Sequence, residues 1–144
     1  METLFAYAQS FALTGWAALI AALFILSSRK AVLGYASLVA PGLLAVAYVW
    51  LLATAKGATG GFGTLAGVKS LFQTDQVLLA GWIHYLAFDM FVGAWITRDA
   101  LERGVWRALV APILLTTLMI GPAGLLVYLA VRSLPVFKPA AATA

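Results

Sequence analysis

The chain has 144 residues, of which 64% are hydrophobic and only 10% charged, with a mean hydropathy of +1.01 and a net charge of +4. A soluble domain is nearer half apolar and a quarter charged, and a small fold leaves too much surface exposed to hide this much apolar side chain from water, whereas lipid removes that difficulty. The lack of cysteine excludes disulfides, thiolate zinc sites and cysteine nucleophiles, and nine cations scattered between apolar runs speak against a nucleic-acid partner.

A bilayer core of about 30 Å needs about 20 apolar residues in a helix. Four runs meet that length. The first, about 4–26, is preceded by Glu2 and by no basic segment and is too long for a signal-peptide core, so it reads as a span rather than a cleaved leader. Ser27-Ser28-Arg29-Lys30 follows as a tight polar turn, which predicts that helices one and two are antiparallel neighbours. The second run, about 31–55, is interrupted only by Pro41-Gly42. A glycine-rich stretch from Lys56 to Gly63 comes next. It lacks the Gly-Lys-Ser/Thr ending and the preceding strand of a phosphate loop. Leu65, Val68, Leu71 and Phe72 then recur at helical spacing and predict a short interfacial helix. The third run is about 76–97, and Arg98 to Gly104 reads as a connection. The fourth is about 105–131, with Gly121-Pro122 inviting a kink in mid-helix.

The expected fold is therefore all-α: a polytopic membrane protein, a four-transmembrane-helix bundle in one domain over 1–132, with a flexible tail over 133–144. Lipid offers no partner for backbone polar groups, and no alternating strand pattern supports a barrel. Trp16, Trp50, Trp95 and Trp106 sit near expected span ends, as aromatic belts do, while Trp82 is deeper. The cations divide five (Arg29, Lys30, Arg98, Arg103, Arg107) against four (Lys56, Lys69, Arg132, Lys138), which tips both termini away from the cytoplasm.

The third run holds the chemistry. His84 and Asp89 lie well inside it. A carboxylate at membrane depth costs about 2.5–3.5 kcal/mol on insertion scales, so Asp89 is expected to face the bundle interior or a wet cavity. At 100° per residue, Asp75, Trp82 and Asp89 share a stripe, while His84 points to the opposite side with Phe88 and Trp95. His84 and Asp89 therefore cannot pair within the helix, and groups on both sides imply that this helix is central or that His84 reaches for the interface. Asp75 suits the first turn of the helix, where its charge meets the positive end of the helix dipole. For His84 and Asp89 a hydrogen-bonded packing role stands beside a functional one. No metal is expected, because His at i and an acid at i+5 do not share a helix face.

The stretch Gly81-Trp82-Ile83-His84-Tyr85-Leu86-Ala87-Phe88-Asp89, together with Pro112, Thr116 and Gly121-Pro122-Ala123-Gly124-Leu125-Leu126, resembles the abscisic-acid-deficient-type membrane proteins of plants. That family is linked to neoxanthin synthesis and has bacterial relatives of unassigned function. With the length and the runs, the likeness covers most of 1–132. It implies a carotenoid or other hydrophobic isoprenoid ligand and an epoxide-to-allene isomerisation without a cofactor. On that resemblance His84, Asp89 and Tyr85 are candidate catalytic groups. Asp75, Trp82, Phe88, Trp95, Thr116, Gly121 and Pro122 are candidate substrate contacts. A non-enzymatic pigment- or lipid-binding subunit or assembly factor of a larger membrane complex is the alternative, and a small transporter the third. Membrane lipids are the expected surroundings, with a homo-oligomer allowed. The lack of a plastid transit peptide fits a bacterial inner membrane.

Overall fold

The computed structural model describes residues 1–25 and 29–137, all its regular structure being helical. Helix α1 spans Glu2–Phe24. Helix α2 (Arg29–Gly34), a π-helical segment (Tyr35–Val39) and α3 (Ala40–Thr54) run on as one rod. Next come α4 (Leu65–Leu71), α5 (Asp75–Arg103), α6 (Arg107–Met119), α7 (Gly121–Arg132) and a 3-10 turn at Pro135–Phe137. Among the described residues, three helices are long and apolar enough to cross a membrane: Glu2–Phe24, Arg29–Thr54 and Asp75–Arg103. The turn expected at Ser27-Ser28, the end of the first span at Leu26 and the tail over 138–144 lie outside the described residues.

Local sequence accounts for the elements. Pro41 has no N–H, and its ring crowds the carbonyl four residues back. The chain meets this by widening the preceding turn into the π segment, in which the Ala40 N–H donates to the Tyr35 carbonyl. The second rod therefore stays unbroken at Pro41-Gly42. The expected short helix is α4, where Thr64 is the N-cap and its hydroxyl accepts from the Gly67 N–H at 3.0 Å. Phe72 closes it by lying over Gly81 of α5, where an added Cβ would collide with the ring.

Helix α5 is central and touches α1, α3, α6 and α7. Small residues set the closest approaches. Trp16 of α1 lies on Gly93, and Met90 fills the space over Gly15. Trp16 is thereby only 2% exposed, a core residue and not the belt residue expected from its position. Helix α1 runs parallel to α5, with Phe5 near Trp82 and Trp16 near Gly93. The second rod runs antiparallel to it, with Ser37 of the π segment at Arg98 and Leu51 of α3 at Gln76.

Two expectations about the last third are corrected. Arg98 to Arg103 is not a connection but the last turns of α5, which ends at Gly104 in a left-handed conformation with φ 67°. Asp99 and Arg103, four residues apart and 2.8 Å from each other, extend the helix by a pair the span-length argument ignores.

The fourth run is not one long helix. Helices α6 and α7 have 13 and 12 residues, about 20 Å each at 1.5 Å per residue, too short for a 30 Å core. The chain does not merely kink between them; it reverses at Ile120 (φ −145°, ψ 63°). Gly124 lies directly against Thr117, and a Cβ there would overlap the threonine backbone, which a straight helix would hold about 10 Å away. Helix α6 leaves the C-terminal end of α5 and reaches Tyr85 and Asp89 near its middle, and α7 returns past Trp95 to Asp99. Trp106 at the start of this hairpin meets Phe137 just after it, ring centroids 5.7 Å apart. Among the described residues the bundle is three long helices plus a hairpin of two short ones, where a fourth long helix was expected. Within the tail expected over 133–144, Phe137 is 3% exposed and packs into the core.

Candidate functional site

Because the hairpin fills only the C-terminal half of the space beside α5, the N-terminal half is left to an open groove of about 750 Å³. Its walls are Tyr48 and Leu52 of α3, Phe62 of the long connection, Leu71 and Phe72 at the end of α4, and Val77, Leu78, Gly81, Trp82, His84 and Tyr85 of α5. The volume and the predominantly apolar, aromatic lining with a few polar tips are those of a small-molecule site.

Tyr85 joins this groove to the hairpin tip. Helix α6 ends at Met119, so the Leu118 carbonyl has no N–H four residues on, where Pro122 stands in the next helix. The Tyr85 hydroxyl supplies the missing donor at 3.2 Å. Asp89, one turn further on the same face of α5, has its carboxylate pressed onto Gly121 so closely that any Cβ there would collide with it. Gly121 is the first residue of α7, so the positive end of that helix faces the carboxylate. Here is the compensation a deep acid requires. It is incomplete: Oδ2 is buried and has no hydrogen-bond partner.

The remaining expected residues divide. His84 faces the groove, away from Asp89, stacked on Phe88 at 4.4 Å and near Tyr48 at 5.5 Å. Trp82 stacks on Tyr85 at 5.2 Å and donates from Nε1 to Gln9 Oε1 at 3.0 Å. Asp75 is a first-turn acid of α5 and lines a smaller hollow with Met1, Glu2, Phe5 and Trp82. It lies 14 residues, about 21 Å, below Asp89, so the common stripe is not a common site. Phe88 points outward, 60% exposed beyond His84. Trp95, a candidate substrate contact, stands outside the groove: it meets Tyr128 edge-on at 5.6 Å and lies under the Arg132 guanidinium at 5.3 Å, on the far side of the hairpin tip. Thr116 returns its hydroxyl to the Pro112 carbonyl at 2.9 Å, within its own helix. Pro122 is exposed at the tip. Among the described residues no three His, Asp or Glu side chains converge as metal ligands would.

A polar cluster escaped the sequence reading. Asp99 accepts from Arg103 Nε at 2.8 Å, from Arg132 Nε and Nη2 at 2.9 Å each, and from the Tyr128 hydroxyl at 2.5 Å. The i,i+4 spacing of Asp99 and Arg103 was the available signal. The bidentate Arg132 contact depends on the reversal of the chain and had none.

In comparison with known proteins, residues 3–128 fit the model of a family described as ABA DEFICIENT 4-like. No curated protein and no solved structure matches the chain.

Proposed function

The chain belongs to the ABA DEFICIENT 4-like family, and from that premise we propose that this membrane protein binds carotenoids or kindred isoprenoids and isomerises an epoxide end group to an allene. What supports the reading is Tyr85: one side chain belongs both to the aromatic groove and to the hairpin tip that holds Asp89. A flat ring-bearing end group seated on Trp82 and Tyr85 would bring its oxygen to the phenol. His84 is the basic group on the same wall.

The isomerisation needs an acid at the epoxide oxygen and a base at the departing hydrogen. The C–O bond breaks and the oxygen takes the Tyr85 proton. The adjacent C–H gives its proton to His84, and its electron pair completes the allene. Asp89, one helical turn away, restores the phenol proton, and the proton held by His84 returns through the site. Nothing is oxidised or reduced, so no cofactor is required. His84 and Asp89 act on different faces of α5, and Tyr85 connects them.

A second reading, a pigment-holding subunit without chemistry, draws on the ring stack of Tyr48, His84 and Phe88, which is a packing arrangement in its own right. One experiment separates the two. The protein is purified from a bacterial host that makes an epoxy-xanthophyll, and the pigments are extracted and resolved. Enzyme action predicts a new allenic product that disappears in His84→Ala and Tyr85→Phe at unchanged expression. Bound pigment with unaltered products selects the binder. Neither pigment nor product ends both readings.

A further inference from the structure

The hairpin changes which charges share a side of the membrane. Residues at the C-terminal end of α5 face the C-terminal end of α1 and the start of the second rod: Arg98 Nη2 donates to Ser37 Oγ at 2.6 Å, and Arg29 Nε to the Ala22 carbonyl at 3.0 Å. Because α7 runs back to Asp99, Arg132 joins this end instead of the opposite one. Arg29, Lys30, Arg98, Arg103, Arg107 and Arg132 thus stand at one face, against Lys56 and Lys69 at the other. An excess of Lys and Arg near helix ends marks the cytoplasmic side, and acids weigh little in that rule. Among the described residues six against two replaces the near balance that four straight spans would give.

The groove lies at the other end. Its walls come from the first three turns of α5, the last turns of α3, α4 and the connection before it, and the hairpin tip marks its inner limit at Tyr85. We propose that the arginine-rich face is cytoplasmic and that the groove beneath the hairpin tip is a half-membrane ligand site, loaded laterally from the opposite, outer leaflet by the ring-bearing end of an isoprenoid. The ligand class rests on the function proposed above; the leaflet rests on the fold and the charges. A lipid-borne ligand suits such a site because Leu52, Phe62 and Leu78 are exposed on its rim, where acyl chains would otherwise lie.

The chain has no cysteine, so single cysteines report their side without a background. Gly63→Cys, in the connection with no atom near its Cβ position, and Ser133→Cys, exposed after α7, are each expressed in a bacterial host and treated with a membrane-impermeant maleimide. Labelling of Gly63→Cys in intact cells and of Ser133→Cys only after lysis is the expected result. The reverse pattern overturns the orientation, and labelling of both from one side overturns the hairpin itself. In a carotenoid-making host, Ala58→Trp, at a residue of the connection that also lines the groove, should lower co-purified pigment several-fold, while Leu134→Trp at the other end leaves it unchanged. Equal pigment in both variants overturns the site. A wild-type protein without pigment overturns the ligand class and the function it rests on, while the labelling still decides the side.

Discussion

Gly121 leaves room for the Asp89 carboxylate and for nothing else on that side of its backbone. Gly121→Ala should therefore behave as overpacking, lowering stability by about 1–3 kcal/mol, read as a lower melting temperature in detergent. Asp89→Ala in that background removes the obstacle, so the double variant should be more stable than the two single effects summed, a coupling of about 0.5–3 kcal/mol. Additive losses would mean the two residues do not touch. Tyr85→Phe tests the neighbouring contact. It leaves the Leu118 carbonyl without its donor and should cost about 1 kcal/mol, a small change beside the complete loss of product that the enzyme reading expects. Asp89 and Tyr85 could be singled out in the sequence because an acid in an apolar run demands an explanation wherever it occurs. Their alliance with Gly121 and Leu118 could not, since about 30 residues of chain separate them and no periodicity spans a reversal.

Helix α7 owes its place to its two ends. At its start lies the Asp89–Gly121 contact, and at its finish Arg132 and Tyr128 close on Asp99. The carboxylate and the guanidinium are 14% and 27% exposed, so the pair stands between a screened surface bridge and a buried one. Asp99→Asn keeps the shape but removes the charge that four donor contacts converge on. It should lower stability by about 1–3 kcal/mol, between the exposed and buried cases. The loss should be local: amide exchange should quicken in α7 and remain slow in α1 and α3. Uniform quickening would show that the hairpin is not a separable unit. The first long helix, the second rod and the short α4 were readable as elements from run length and helical spacing. The extension of α5 to Arg103 was missed because a run of charged residues was taken to end a helix that an i,i+4 ion pair in fact prolongs.

As a whole the molecule is asymmetric along its bundle axis, packed with the hairpin toward one end and hollowed by the groove toward the other. Three long helices and a hairpin put Met1 and Phe137 at opposite ends of the bundle, so on the orientation proposed above the N-terminus lies outside the cytoplasm and Phe137 on the cytoplasmic side, where the sequence expectation had both termini outside. A fluorescent protein fused after Ala144 should mature in the bacterial cytoplasm, whereas one fused before Met1 and exported unfolded should stay dark; two bright fusions would refute the topology. By itself the sequence determined the solvent, the helical class and the one run with acids at depth, because burying backbone in lipid leaves few choices and a stranded carboxylate is costly at any position in it. It also marked where the fourth run would break, since Pro122 cannot complete the ladder. Only the tertiary structure decided how far the chain turns there. Gly121-Pro122 interrupts the helix without setting an angle; the reversal is closed by Thr117 against Gly124 inside the hairpin and held by Asp89 and Asp99, contacts that exist only once α5 stands beside it. From that one angle follow the groove, the side of Arg132 and the face on which a ligand would enter.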